Sequence, residues 1–236
     1  MAEAERILVV TAHPDDVDFG AAGSIAAWAS EGAEVTYCIV TDGDAGGFDP
    51  TVPRSEIPRI RRAEQVAAAA VLGVRDVHFL GYRDGELTVT HELRRDISRV
   101  IRQVRPQRML IQSPDRNWHR LPASHPDHLA AGEAAIFAIY PDARNPFAHP
   151  VLLNDEGLEA WTVHDVWVFG TPTPNTYVDI TDRFDVKIAA LRAHESQTAH
   201  MDDLEDRIRG WGVMLADAGG LPAGRLAESF MRIDVP

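Results

Sequence analysis

The chain has 236 residues, of which 45% are hydrophobic and 25% charged, a composition typical of a globular protein with one full-sized core. Its formal net charge of -13 argues against nucleic acid or an anionic membrane surface as a partner, because both repel a negative protein. The single cysteine, Cys38, lies in an apolar run, so no disulfide can form within the chain, as expected for a reducing compartment.

No stretch of the sequence has the pattern of a targeting or membrane segment. The opening MAEAERILVV is too acidic for a signal peptide and its apolar part is too short, and no apolar run approaches the length of a membrane span. We therefore expect a cytoplasmic protein without membrane insertion. Because no low-complexity linker or fixed-period repeat divides the sequence, residues 1–236 are predicted to form a single domain. A homo-oligomer of this domain is compatible with the sequence.

Strands and helices alternate along the predicted chain. The first half is predicted to contain strands over 5–12, 34–43, 76–82 and 108–114, separated by helices over 20–31, 56–73 and 91–106. The second half is predicted to contain a helix over 126–140, strands over 165–170 and 176–181 and a late helix over 182–195. The later segment MDDLEDR (201–207) has the pattern of a solvated helix face.

Apolar strands that alternate with helices are typical of a parallel sheet covered on both faces. The predicted fold is therefore α/β, a three-layer Rossmann-like arrangement with a mostly parallel sheet and helices on both faces. In such folds ligands bind beyond the carboxyl ends of the strands. The polar loops HPDD, TDGDAGG and SPDRNWHRLPASHPDH follow the first, second and fourth strands, so we expect all three at the same edge of the sheet.

These loops contain a candidate metal site. His13 and Asp16 follow the first strand, and the segment SHPDH adds His125, Asp127 and His128. Two histidine nitrogens and a carboxylate oxygen are a typical catalytic zinc set, although spacing alone does not decide which histidines bind. A cation would also offset the clustered carboxylates of HPDDVD, which repel one another and are costly to bury unpaired.

Two other interpretations of the first loop are a helix N-cap and a dinucleotide site. By itself HPDD fits a helix N-cap about as well as a ligand site. The second motif, HPDH, favours the site, because helix caps do not require two such loops to meet. A dinucleotide site is disfavoured, because the first turn lacks GxGxxG and its acidic residues would repel a pyrophosphate.

The motifs AHPDD, TDG, RxxE and HPDH, in this order, resemble those of the LmbE-like, GlcNAc-phosphatidylinositol de-N-acetylase family. This family includes zinc deacetylases of the mycothiol and bacillithiol pathways and of antibiotic tailoring. The resemblance covers residues 6–133 and continues more weakly to AHESQ (193–197) and ESF (228–230).

The resemblance implies roles for eight matching positions. The zinc ligands would be His13, Asp16 and His128, and the residues near the substrate would be Asp44 and Arg61. The catalytic groups would be Asp15 as general base, His125 as an electrophilic or acid group, and Asp127 as its orienting neighbour. A base beside a ligand can take a proton from water and return it to the leaving amine, and a protonated His125 held by a carboxylate would stabilise the oxyanion.

The predicted function is a zinc-dependent hydrolase that removes an N-acetyl or other N-acyl group from an amino-sugar conjugate by means of a metal-activated water. One zinc per chain is expected, with iron or cobalt as other divalent ions that such ligands accept. An amidase acting on a mycothiol S-conjugate is the first alternative. A metal-binding protein without turnover is the second, and the presence of both Asp15 and His125 disfavours it.

Four further residues receive no fixed role from the sequence. Asp18 fits a helix cap, a solvated carboxylate or a hydrogen-bond acceptor for a ligand histidine. Asp127 also fits the role of such an acceptor. His194 and Gln197 are candidates to approach the site from the late helix. His119 lies in the loop 115–124, which fits a substrate lid or simple packing.

Overall fold

The computed structural model describes residues 4–118 and 120–236, and within these ranges seven strands form one sheet. The strands are β1 (Arg6–Thr11), β2 (Glu34–Thr41), β3 (Asp76–Tyr82), β4 (Arg108–Gln112), β5 (Asp165–Phe169), β6 (Thr176–Asp179) and β7 (Ala227–Asp234). The helices are α1 (Asp16–Ser30), α2 (Ile57–Val71), α3 (His91–Val104), α4 (Pro126–Phe137), α5 (Pro150–Asn154), α6 (Phe184–Arg192), α7 (Glu195–Thr198) and α8 (Leu204–Ala218).

The strand order β3-β2-β1-β4-β5-β7-β6 confirms the predicted mostly parallel sheet. β1 pairs in parallel with β2 on one side and with β4 on the other, and β3 and β5 extend the parallel part outward. β7 was not predicted, and it inserts antiparallel between β5 and β6. The strand order therefore reverses beside β1, which is where open α/β sheets bind ligands.

Helices cover both faces of the sheet because the side chains of β1 alternate between two cores. Ile7 and Val9 pack into the core formed with α1 and α2, whereas Leu8 and Val10 pack into the core formed with α3 and α4. All four side chains are at most 1% exposed. Burial of a side chain of this size contributes about 1.5–3 kcal/mol, so the two cores fix β1, and with it the loop that follows, on both faces.

Helix α1 begins at Asp16, four residues before the predicted start at residue 20. Asp15 precedes it with a left-handed backbone, φ +89°, and Asp16 and Asp18 occupy its first turn. Carboxylates near a helix N-terminus interact favourably with the helix dipole, which favours this earlier start. The consequence is that Asp16 is held by a helix and not by a loop.

The predicted helix over 182–195 is interrupted. A 3₁₀ turn over Thr181–Arg183 leads into α6, which ends at Arg192, and α7 begins at Glu195. His194 lies between these two helices and is fully buried. Downstream, α8 extends to Ala218, well beyond the predicted segment 201–207.

A close approach between α4 and β4 places the second polar loop. A Cβ at Gly132 would lie 2.3 Å from the carbonyl oxygen of Gln112, so only glycine allows the helix to pack this tightly over the strand end. His128 is one turn earlier in the same helix. In the described part of the chain, no helix combines the length and the apolar character needed to cross a membrane.

Candidate metal centre

The candidate site lies beyond the neighbouring carboxyl ends of β1 and β4. The amide of Ala12 donates to the side-chain oxygen of Gln112 at 2.7 Å, which ties the two strand ends together. The loop after β1 contributes the HPDD motif, and the loop after β4 leads to the HPDH motif at the start of α4. The predicted meeting of these two loops is confirmed.

Three side chains bring potential ligand atoms together. The Nδ1 atom of His13 lies 3.1 Å from Nε2 of His128 and 3.3 Å from a carboxylate oxygen of Asp16. The other oxygen of Asp16 lies 3.0 Å from Nε2 of His128. Ligands bound about 2.0–2.1 Å from a tetrahedral zinc ion are roughly 3.3 Å apart, so this set of two nitrogens and one carboxylate fits such an ion.

The far side of the His13 ring is held by two acidic residues. Its Nε2 atom lies 3.2 Å from Asp127 and 3.2 Å from Asp84. Asp127 also accepts hydrogen bonds from the amides of Gly85 and Leu87, at 2.7 and 3.2 Å, and is fully buried. A carboxylate that accepts the Nε2 proton directs Nδ1 toward a metal, so of the two acceptors the sequence left open, Asp127 contacts His13.

The electrostatics of the cluster favour a positive charge. Burial alone lowers the pKa of His13, but Asp16, Asp127 and Asp84 outweigh it and raise that pKa to about 12. The cluster has more carboxylates than its histidines can neutralise as simple ion pairs. A divalent cation between His13, Asp16 and His128 would supply the charge that this arrangement favours.

Among the described residues, two other donor sets include His13 and have ligand atoms within 4.8 Å of one another. One adds His125 and His128, and the other adds Asp84 and Asp127. The second set faces Nε2, whose proton those carboxylates accept. In the first set, Nδ1 of His125 already accepts the amide proton of Asp127 at 3.2 Å. The set of His13, Asp16 and His128 therefore fits a cation best.

His125 caps the N-terminus of α4. Because its Nδ1 atom accepts a backbone N–H, the neutral ring carries its proton on Nε2. Burial, together with His13 and His128, lowers the pKa of His125. In the described contacts Asp127 orients His125 through its backbone amide, whereas its carboxylate contacts His13 and the amides of Gly85 and Leu87.

Asp15 adjoins the ligands and is held from α2. Its amide donates to the side-chain oxygen of Gln65 at 2.8 Å, and its carboxylate accepts from Arg61 at 3.2 Å. The hydrogen bond from the Asp15 amide to Gln65 stabilises a left-handed backbone that costs a non-glycine residue about 1–3 kcal/mol. Burial raises the pKa of Asp15 to about 6, although Arg61 opposes the shift.

Arg61 lies behind the base and not in an open cleft. Its guanidinium is buried and donates to the backbone oxygens of Pro14 and Gly43. A Cβ at Gly43 or Gly46 would lie within 2.4 Å of this group, which explains why the TDGDAGG loop needs glycine at both positions. The described contacts of Arg61 thus join the loops after β1 and β2.

Asp44 lies farther out, on the loop after β2. It accepts from Arg54 at 2.8 Å and from the amide of Asp84 at 2.9 Å. These hydrogen bonds lower its pKa, although burial opposes the shift. Asp44 and Asp84 thus form an acidic rim beside His13.

Asp18 and His194 form a buried pair. The Asp18 carboxylate lies 2.8 Å from Nε2 of His194 and accepts from Gln65 at 2.9 Å, and both members of the pair are fully buried. Asp18 is therefore neither a cap nor a solvated carboxylate. Gln197 contacts the neighbouring Ser196, which Glu64 of the RxxE motif binds at 2.7 Å.

Asp84 and Gln65 were not identified from the sequence. Asp84 follows β3 at the same edge of the sheet, and this position after a strand end is the sequence signal that points to it. Gln65 had no signal beyond its place beside the RxxE motif. His119 lies outside the described residues.

Known proteins resemble this chain over most of its length. The sequence model of the PIG-L family, GlcNAc-PI de-N-acetylase, matches residues 8–139. Diacetylchitobiose deacetylase of Thermococcus kodakarensis is 37% identical over 200 residues, which is 83% of this chain and 71% of that protein. A probable N-acetyl-alpha-D-glucosaminyl L-malate deacetylase 2 of Bacillus cereus is 32% identical over 86% of this chain and 89% of its own length.

A solved structure agrees over nearly the whole chain. N,N'-diacetylchitobiose deacetylase from Pyrococcus horikoshii, in complex with its inhibitor MPG, superposes with a TM-score of 0.89 and 31% identity. The match covers 98% of this chain and 85% of that one.

Proposed function

Because this chain belongs to the GlcNAc-PI de-N-acetylase family, we propose that it is a zinc-dependent hydrolase that removes the N-acetyl group from an amino-sugar conjugate. Curated relatives of this chain are named as deacetylases of N-acetylated amino sugars. The observation that carries the proposal is the convergence of ligand atoms from His13, Asp16 and His128 within 3.3 Å of one another, with Asp15 alongside.

His13, Asp16 and His128 would hold the ion. When bound, zinc lowers the pKa of a coordinated water to about 7 and polarises the amide carbonyl. Asp127 and Asp84 keep the Nε2 proton of His13 directed away from the ion. The buried carboxylates would favour retention of the ion, because without it they outnumber the histidines that pair with them.

Asp15 would act as the general base and then as the general acid. It accepts a proton from the attacking water and delivers it to the amine nitrogen as the C–N bond breaks, so that acetate and the free amino sugar leave. The hydrogen bond from Arg61 to the Asp15 carboxylate, and the one from the Asp15 amide to Gln65, hold Asp15 in place for both transfers. A base that is positioned in advance avoids reorganisation during the reaction.

His125 would stabilise the oxyanion of the tetrahedral intermediate. Its Nε2–H can donate to the developing negative charge while Nδ1 remains bound to the amide of Asp127. This role needs only the neutral ring, which agrees with the lowered pKa of His125. Asp44, on the acidic rim, is suited to accept hydrogen bonds from sugar hydroxyls.

The test is hydrolysis of a panel of N-acetylglucosamine conjugates by purified protein, before and after chelation and zinc restoration. We expect acetate release from at least one conjugate, loss of release on chelation and recovery with about one zinc per chain. Full activity in protein shown by elemental analysis to be free of metal would rule out this mechanism.

A further inference from the structure

A cleft of about 630 Å³ opens from the proposed metal ligands toward α8. Asp16 and His128 line its inner end, and Trp211 and Met214 of α8 line its outer end. The mechanism above uses only the inner end. The outer part is large enough for a further portion of the substrate.

The walls of the outer cleft are mainly apolar. They include the side chains of Phe19, Phe169, Tyr177, Trp211, Met214 and Leu215. Trp211 is 37% exposed and Met214 58% exposed, and contiguous exposed apolar groups of this kind mark binding surfaces. Apart from the two ligands, Arg120 is the only charged side chain among the described lining residues, and its guanidinium lies 4.3 Å from the Trp211 ring.

The acyl group removed in the proposed reaction does not account for this space. The methyl of an acetyl group occupies about the volume of one water molecule, roughly 30 Å³. The remaining volume must serve the amine side of the amide, which is the sugar and its substituent. The acidic rim of Asp44 and Asp84, on the other side of His13, provides acceptors for the hydroxyls of the sugar. The apolar cleft therefore suits the substituent that the sugar carries.

We propose that this cleft binds an apolar aryl or alkyl substituent carried by the amino sugar. The inference rests on the proposed deacetylase function. Trp211 and Met214 would contact the substituent and thereby determine which conjugates are hydrolysed. Burial of an apolar ring against such a wall strengthens binding in proportion to the apolar area removed from water.

The experiment compares two matched substrate series. In the first, the N-acetyl group is constant and the glycoside is methyl, hexyl or phenyl, in both anomers. In the second, the methyl glycoside is constant and the N-acyl group is acetyl, butyryl or hexanoyl. We expect kcat/KM to rise at least tenfold from methyl to phenyl glycoside, mainly through KM, and not to rise along the N-acyl series.

Two variants and a control test whether the rise in kcat/KM from methyl to phenyl glycoside comes from the cleft. Trp211→Ala and Met214→Ala should each reduce the phenyl-to-methyl ratio of kcat/KM at least threefold. Val213→Ser is the matched control, because Val213 is 40% exposed on the same helix and does not line the cleft, and it should keep the wild-type ratio. Circular dichroism verifies that each variant is folded.

Several results would overturn the proposal. The first is an equal kcat/KM for the methyl, hexyl and phenyl glycosides, and the second is a phenyl-to-methyl ratio that both cleft variants retain. The others are a rise in kcat/KM along the N-acyl series and a preference for a chitobiose or carboxylate-bearing conjugate over the phenyl glycoside. If no conjugate is hydrolysed, the proposed function fails, and calorimetry then tests the cleft independently. Tighter binding of phenyl than of methyl 2-amino-2-deoxyglucoside would support the cleft, and equal binding would refute it.

Discussion

Two buried charged clusters lie along helix α1 and differ in how their charges are balanced. Near the middle of the helix, Glu228 accepts from Lys187 at 2.6 Å, from the amides of Gly23 and Ser24, and from the Ser24 hydroxyl. Lys187, the only lysine in the sequence, also donates to the backbone oxygen of Phe19. Both oxygens of Glu228 are thus satisfied within the protein.

At the N-terminus of α1 the balance is different. Carboxylates of Asp16, Asp84 and Asp127 surround the single ring of His13, and His128 points its nitrogen at the same place. The carboxylates there outnumber the histidine rings that pair with them. Burial of charge therefore does not by itself mark a functional site. A balanced cluster joins secondary-structure elements, whereas an unbalanced one favours the binding of a cation.

The largest effect should come from the base beside the unbalanced cluster. We expect Asp15→Ala to lower kcat by about 10²–10⁴-fold, because proton transfer loses its acceptor. Zinc content measured by elemental analysis should stay near the wild-type value, because Asp15 is not a proposed ligand. Retained turnover would remove Asp15 from the role of base.

A substitution in the balanced cluster should lower the free energy of unfolding and leave zinc affinity unchanged. We expect Lys187→Met to lower the free energy of unfolding by about 3–5 kcal/mol, because it leaves Glu228 buried without its cation. The double variant Lys187→Met/Glu228→Gln removes both charges and should lose less than the single one. Denaturant unfolding measures both, and a loss of zinc affinity in the folded single variant would contradict the separation of the two clusters.

Two histidines of the HPDH motif should separate metal binding from catalysis. We expect His128→Ala to weaken zinc affinity at least about 100-fold, more than an outer-shell change does. His125→Ala should weaken zinc affinity less and lower kcat instead. Chelator competition gives the affinities, and the opposite ranking would exchange the two roles.

The smallest effect should come from the positioning of the base. Gln65→Met removes the acceptor for the Asp15 amide, so the left-handed Asp15 loses a hydrogen bond and kcat should fall roughly tenfold, about 1.4 kcal/mol. KM and zinc content should change little. Val66→Ala, at the exposed neighbouring position, is the control, and equal kcat in the two variants would show that Gln65 does not position the base.

Local sequence determined much of this protein. The alternation of apolar strands and helices predicted the sheet, because burial on both faces requires continuous apolar strands. The order of the strand-end loops predicted that HPDD and HPDH meet, because parallel strands end at one edge. The apolar run around Cys38 is one of these strands, and the Cys38 side chain is fully buried in β2.

The tertiary structure decided the partner of each polar side chain. Asp127 is near His125 in sequence, yet its carboxylate contacts the His13 ring. The same carboxylate accepts hydrogen bonds from the backbone amides of residues 85 and 87, which hold it in that position. Asp84 and Gln65 join the site although no role was predicted for either, and His194 reaches Asp18 from the weakly matching AHESQ segment. Hydrogen-bond partners across more than 40 residues depend on which elements pack together, and periodicity within one element carries no information about that choice.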